Sequence, residues 1–487
     1  MITREEAATY FRNLLREKPS WLKIADSQFV GHLAVFVSWC LREALWRLER
    51  LNQEFFISTA LNDSSIMAHA EDREYLPRKR IPATGTVTIF NTGAAELAIP
   101  AFTEFVSANS HPYLTVEGVT VQAGDSADVP VVQAELKTIT NSIDTAPGPY
   151  FTYLLELEDS QRLANNLVMT SAVSDTLISL TGITVEIEQP GDDIFSYWEP
   201  SRLFQNSTPG SKVYDEFFSH TGQTGIRFGN GLFGMIPSLS SALRITLMLT
   251  EGDTELVTGQ VIAQVVDLYD NDGNPALFTA TVAETIQNGG EREGIAEMKA
   301  ALHYWPSYHD KLIWNDDYVF FLKRALSGIV WSKVWGEAEE EEISGFSIHN
   351  INRIFVTAYA PGNTDLPTEV MARLGEVHLL NRTFTWVDPI FVPFGLTITG
   401  LVPRTTNISA TEQAIRTVLN RDYGRDSSSR KDLVYLKDIY ALVNATGSFS
   451  GLTAHFEVEI VGTITPTRLQ EMVHVDLDLV EINLDYA

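Results

Sequence analysis

The feature that most constrains this sequence is an apolar repeat close to its N-terminus. Six apolar residues recur at steps of four and three over about three heptads: Val37, Leu41, Ala44, Leu48, Leu51 and Phe55. A helix with this period presents one apolar seam that suits packing along a partner helix. The seam packs either on the chain's own domain or on another chain. No matching long helix follows in the sequence, so we treat the seam as the candidate partner-binding site.

Changes in residue pattern divide the chain into four predicted segments. Residues 1–75 are predicted to be a helical, bundle-forming segment, and residues 76–290 alternate apolar and polar positions between turn residues, which predicts a β-rich middle. Residues 291–345 are predicted to be a helical segment with an acidic loop. Residues 346–487 interleave strands and helices, which indicates an α+β C-terminal interaction domain. The predicted fold class is therefore multidomain α+β.

A glycine-rich stretch, "TGIRFGNGLFG", raises the question of a phosphate-binding loop. Gly229, Gly231 and Gly234 satisfy the GxGxxG pattern, but a dinucleotide loop opens a helix, and here Pro237 and a strand-like apolar run follow. The Lys and Ser/Thr of a P-loop are also missing. We interpret Gly229, Asn230, Gly231 and Gly234 as a structural turn in a hairpin, since Asn and Gly tolerate positive φ. No cofactor is predicted.

Motifs for catalysis are missing from the sequence. It contains neither a GxSxG elbow nor an HExxH metal motif. The acidic run "GEAEEEEISG" has five Glu among six residues, and we interpret it as a solvated loop rather than a metal or basic-partner site. The sequence thus predicts no catalytic residue, no metal site and no enzymatic activity.

Charge and cysteine content exclude further classes. The 63 acidic and 35 basic residues give a net charge of −28, which disfavours binding to nucleic acid or to an anionic membrane surface. Cys40 is the single cysteine of the sequence, so an internal disulfide is excluded. We expect Cys40 to be a small buried thiol in the seam helix. The longest apolar run, Phe29–Leu41, is too short to cross a bilayer. We expect a soluble, intracellular protein without membrane insertion.

Four segments, in order, carry a family resemblance: "RKRIPATGTVTIF", "IPAFTEFVSANSHPYLTVEGVTVQAGDSADVPVVQA", "GIRFGNGLFGMIP" and "NGGEREGIAEMKAALHYWPSYHDKLIWNDDY". They resemble the baseplate J family, the wedge proteins of contractile phage tails and related contractile injection systems. With the C-terminal pattern of strands and helices, the resemblance spans roughly residues 76–460. The sequence departs from the family at Ala101-Phe102, where a Gly is usual, and at Asn315, where a Thr is usual.

The resemblance implies a structural role. A family member pairs with a second copy of itself and a smaller second wedge protein through a bundle of N-terminal helices. It also meets hub proteins and a lysozyme-like wedge or sheath-initiator protein. Such a protein assembles in the host cytoplasm, belongs to the virion tail baseplate, forms a ring around the hub and helps couple baseplate change to sheath contraction. Two rivals remain, a tail-associated carbohydrate-degrading enzyme and a receptor-binding module.

Overall fold

A computed structural model describes most of the chain, namely residues 4–170, 177–264, 268–308, 311–375, 382–404, 406–427, 430–447, 449 and 455–486. Helices lie at the N-terminus, strands dominate the middle, and the two mix towards the C-terminus. The predicted α+β multidomain class is confirmed.

The N-terminal segment consists of helices. They are α1 (Arg4–Arg16), α2 (Gln28–Glu54) and α3 (Asp63–Asp72). Helix α1 packs against α2, whereas α3 packs against a helix much later in the chain.

Strands build the middle of the chain. They are β1 (Thr84–Asn91), β2 (Leu97–Ile99), β3 (Glu104–Val106), β4 (Pro112–Thr115), β5 (Val119–Val121), β6 (Ser126–Val132), β7 (Glu135–Ser142), β8 (Thr152–Leu154), β9 (Leu167–Thr170), β10 (Leu177–Leu180), β11 (Ile183–Glu188), β12 (Ser196–Pro200), β13 (Val213–Phe218), β14 (Thr224–Phe228), β15 (Ala242–Leu249), β16 (Val261–Gln264) and β17 (Phe278–Gln287). One short helix, α4 (Leu157–Arg162), lies among them.

These strands form two main units with separate cores. A closed barrel has the order β1-β17-β16-β3-β4-β6 and is filled by side chains such as Ile89, Phe105 and Val129. A seven-stranded sheet has the order β7-β15-β11-β12-β13-β14-β8. Along β11, Ile183, Val185 and Ile187 are buried alternately, as period-two patterning requires of a strand with one covered face.

The remaining elements follow in two groups. The first contains α5 (Ile295–Tyr308), α6 (Asn315–Ala325), β18 (Trp331–Gly336), α7 (Glu337–Ser344), β19 (Arg353–Tyr359), α8 (Leu366–Gly375) and β20 (Thr383–Trp386). The second contains β21 (Ile390–Val402), α9 (Ile408–Tyr423), α10 (Leu436–Ala445), β22 (His455–Val461) and β23 (Glu471–Tyr486). In the second group, β21 lies between antiparallel β22 and parallel β23, and α9 packs on β23.

The packed cores cross the predicted segment boundaries. Tyr75, which follows α3, shares a core with Trp305 of α5, so residues 1–75 and 291–345 are joined. Tyr318 of α6 shares a core with Val356 of β19 and Val370 of α8, and the boundary at 345 therefore falls inside one packed unit. These contacts join residues far apart in sequence, which local residue patterns do not reveal.

The acidic run is a helix, so the predicted acidic loop is wrong. Helix α7 begins after Gly336, and Glu339 Oε2 accepts a hydrogen bond from the Gly336 amide at 2.7 Å. Glutamates in a first turn also interact favourably with the helix dipole. The loop prediction weighed charge alone and overlooked that Glu339 stands three residues after Gly336, where its side chain can cap a helix.

Candidate partner-binding surface

Among the described residues, the buried side chains of helix α2 lie in its N-terminal half. Ser27 caps the helix by accepting a hydrogen bond from the Val30 amide at 3.3 Å. Its buried residues, Val30, Ala34 and Ser38, recur at four-residue steps on the side that faces α1. Because α1 has 13 residues and α2 has 27, α1 covers only part of the longer helix. The C-terminal half of α2 extends beyond this cover.

The predicted seam lies mostly in that uncovered half. Leu48 is 60% exposed and Phe55 is 72% exposed. Leu41, Ala44 and Leu51 are exposed as well, and Val37 is half-buried. Phe55 stands directly after the last helical residue, Glu54. None of the seam residues belongs to a hydrophobic core cluster of the described residues.

A second apolar stripe, the aromatic stripe, was missed by the sequence reasoning. It consists of Phe29, Phe36, Trp39 and Trp46, all exposed large side chains on α2. Trp39 and Trp46 stand two residues before Leu41 and Leu48, which places them about 160° around the helix from the seam. The seven-residue spacing within each aromatic pair was the available signal, but charged neighbours such as Arg47 interrupt it. Helix α2 thus exposes apolar side chains on two sides.

Cys40 is exposed, so the expected buried thiol is wrong. The buried side of α2 runs through Ser38, and a residue two positions later lies about 160° around the helix. Cys40 therefore faces away from α1.

The charge of the chain is distributed unevenly. Residues 1–56 contain eight Lys or Arg and seven Asp or Glu, so the net charge of −28 comes from the rest of the sequence. Like charges repel across an interface, and an almost neutral helical segment lacks this obstacle. The part of the chain that exposes α2 is thus nearly neutral in charge.

Glu54 anchors the C-terminal end of α2 to the body. Its Oε2 accepts hydrogen bonds from the amides of Leu61 and Asn62, both at 3.1 Å. The ring Nε2 of His69 in α3 lies 3.0 Å from the Glu54 carbonyl oxygen. Burial of the carboxyl raises its pKa, but hydrogen bonds from the Asn62 amide, the Ser65 side chain and the Leu61 amide, with the charge of Arg50, outweigh that effect and hold the pKa of Glu54 below its usual value.

This anchor predicts an acid-sensitive attachment of α2. Because the folded pKa of Glu54 lies below its usual value of 4.5, the stabilisation is present above that value and is lost as the pH falls through the lowered pKa. The Leu61 and Asn62 amides should stay protected against hydrogen exchange above the usual carboxyl pKa of 4.5 and lose protection as the pH falls below it. In Glu54→Gln, these two amides should be less protected at neutral pH. Their protection should not fall further as the pH is lowered. Equal acid sensitivity in both proteins would contradict the assignment to Glu54.

The glycine segment after β14 is a compact turn that folds back on itself. Asn230 Oδ1 accepts hydrogen bonds from the amides of Leu232 and Phe233 at 2.9 and 2.8 Å. Gly231 and Gly234 have φ of 83° and 77°, conformations that favour glycine. A Cβ on Gly229 would collide with the backbone of Gly234. The glycines therefore serve backbone geometry.

One part of the turn prediction is wrong, because the segment does not connect paired strands. Strand β14 pairs with β13 and β8, whereas β15 pairs with β11 and β7. The sequence showed two strand-like runs around a turn but not their pairing, which depends on long-range contacts.

The turn geometry predicts that Gly229 tolerates replacement less well than Gly231, although only Gly231 has a positive φ. Gly231→Ala should cost about 1–2 kcal/mol of unfolding free energy, the penalty for left-handed backbone in other residues. Gly229→Ala forces backbone apart and should cost more, roughly 3 kcal/mol. Gly124→Ala is the matched control, because Gly124 has φ 75° and nothing within 4 Å of the added Cβ. Denaturant melts of the purified variants measure the loss of unfolding free energy in each. A loss in Gly229→Ala no larger than that in Gly124→Ala would contradict the prediction.

Two further observations concern the described part of the chain. No group of three or more His, Cys, Asp or Glu side chains is arranged there to hold a metal ion. None of its helices combines the length and apolar character needed to span a membrane.

Comparisons with known proteins return structures only. A scan against protein-family models finds no match, and neither does a search of curated proteins. A chain of the anti-feeding prophage (AFP) baseplate is 12% identical, with 96% of this chain and 90% of that chain covered and a TM-score of 0.34. A chain of the type VI secretion system TssK-TssF-TssG baseplate subcomplex is 9% identical, with 73% and 96% covered and a TM-score of 0.27. Both similarities are distant and assign no residue of this chain a role.

Proposed function

We propose that this chain is a structural wedge component of a contractile-tail or injection-machine baseplate and that it joins its complex through α2. The observation that carries this proposal is the exposed seam from Val37 to Phe55, on a helix that extends beyond the cover of α1. The four ordered segments that resemble the baseplate J family indicate the class of machine.

Burying the seam supplies a sufficient driving force for assembly. Covering a large apolar side chain is worth about 1.5–3 kcal/mol, and Leu48, Leu51 and Phe55 are each exposed. Contiguous apolar surface of this kind marks protein interaction sites in soluble proteins. The 27 residues of α2 extend about 40 Å, enough to lie along a partner helix over most of its length.

Two apolar sides on one helix suit a bundle with two neighbours. The seam would meet one helix and the aromatic stripe another, which fits a second copy of the chain and a smaller second wedge protein. Contacts with hub proteins and a lysozyme-like wedge protein, ring closure around the tail hub and coupling to sheath contraction follow from the family resemblance. So do assembly in the host cytoplasm and a final place in the tail baseplate.

The proposal is tested by replacing Leu48 with Asp and measuring co-purification with the proteins encoded beside this chain. The proposed function includes no catalytic activity, cofactor or metal. Saturable hydrolysis of a glycan or peptide by the purified chain, abolished by a single substitution, would instead support the carbohydrate-degrading alternative.

A further inference from the structure

A second exposed apolar surface lies around helix α7, far from α2 in sequence. Trp314 at the start of α6 is 73% exposed, and Phe346 after α7 is 80% exposed. Four more side chains complete what we call the α7 surface, and all are exposed: Ile313, Ile343, Ile348 and Ile351. Six large apolar side chains within 39 residues form a candidate interaction site.

Local hydrogen bonds hold this surface in place. Asn315 Nδ2 donates to Glu339 Oε1 at 2.8 Å and thereby fixes the start of α6 against α7. Trp335 Nε1 donates to Glu340 Oε2 at 2.7 Å, and the Asn352 amide donates to Glu337 Oε2 at 3.1 Å. Helix α7 is thus tied to the strands on both sides, and a partner would meet a surface that is already ordered.

The charge between the apolar groups is negative and unpaired. Five glutamates lie in α7: Glu337, Glu339, Glu340, Glu341 and Glu342. In the described part of the chain, none of them forms a salt bridge with Lys or Arg. Glu339 and Glu342 are exposed. By contrast, Arg47 of α2 pairs with Glu43 at 2.9 Å.

We infer that the α7 surface docks a basic amphipathic helix of a partner protein. Helix α7 is about 12 Å long, close to two turns of a bound helix. Phe346 follows its C-terminal end, and Asn315, the neighbour of Trp314, contacts Glu339 in its first turn. Apolar residues of the partner cover the flanks, and its Lys or Arg side chains pair with the glutamates between them. A second copy of this chain is a poor occupant, because the exposed helix that it would offer, α2, carries three Arg and three Glu and is therefore not basic. The inference does not depend on the function proposed for α2.

A photo-cross-linking experiment with the full chain tests the inference. The probe is a synthetic helical peptide with leucines on one face, lysines on the other and a photoreactive group, compared with a scrambled peptide of the same composition. Mass spectrometry should place the cross-links of the amphipathic peptide within residues 313–351, and the scrambled peptide should give at least tenfold fewer. Phe346→Asp should lower this cross-linking at least tenfold, and Glu342→Gln should make it less sensitive to salt.

Matched variants separate this surface from others. Phe233→Asp alters an exposed Phe of the glycine turn and should leave the cross-links unchanged, as should Leu48→Asp in the seam. Undiminished cross-linking in a folded Phe346→Asp protein would overturn the inference. So would dimerisation of the parent chain that is lost in Phe346→Asp, because the occupant would then be a second copy.

Discussion

Replacing Leu48 by Asp is expected to give a folded protein that no longer co-purifies with its neighbouring tail proteins. In the isolated chain Leu48 is 60% exposed, so the carboxylate stays in water and the fold tolerates it. In an assembled bundle the same carboxylate would be buried without a partner, at a cost of about 3–5 kcal/mol. That cost lowers affinity by about two to four orders of magnitude. Co-expression, affinity purification and thermal melts measure complex yield and folding together.

Leu232→Asp is the matched control for this variant. It makes the same substitution at a leucine that is 69% exposed and lies in the glycine turn, outside α2. Complex yield should stay close to that of the parent. If Leu48→Asp also kept its yield, the seam would not be the interface. A global loss of fold in Leu48→Asp would instead mean that the seam belongs to the chain's own core.

The helix that carries the seam could be predicted from sequence because a helical period is local information. A helical period is written in the spacing of apolar residues, and the exposed Leu48 and Leu51 lie on the helix that this spacing predicts. The aromatic stripe was harder to find, because Glu43 and Arg47 interrupt it and lower the apparent apolar contrast of that side. Helices whose apolar residues lie on two sides do not show one clear amphipathic pattern.

The sequence could not predict the contacts between residues that are far apart along the chain. The hydroxyl of Tyr75 donates to Glu293 at 2.6 Å, and the amide of Arg78 donates to the same carboxylate at 2.8 Å. These bonds join the end of the N-terminal segment to the start of α5 across more than 200 residues. A boundary at residue 75 looked natural because the pattern changes from helix to strand there, yet the core continues across it.

Trp305 lies at the centre of this junction. It is 2% exposed, and its Nε1 donates to the Arg73 carbonyl oxygen at 2.9 Å. Its ring meets the Tyr75 ring edge-to-face, with 5.0 Å between centroids. Because Arg73 and Tyr75 directly follow α3, Trp305 holds α3 against α5, and α3 in turn carries the anchor of α2 through His69. One buried ring thus links the body of the protein to the helix that bears the seam.

Trp305→Ala is therefore expected to destabilise the unit of α3 and α5 by about 3–5 kcal/mol, the usual cost of removing a buried Trp. Hydrogen exchange should show lost protection in α3 and α5 while β21 and α9, which have their own core, keep theirs. Complex yield should also fall, but with a loss of local stability that Leu48→Asp does not show. Trp314→Ala is the control: its ring is 73% exposed, and its removal should cost no more than about 0.5 kcal/mol. Equal protection of α3 and α5 in both variants would mean that Trp305 does not hold these two helices together.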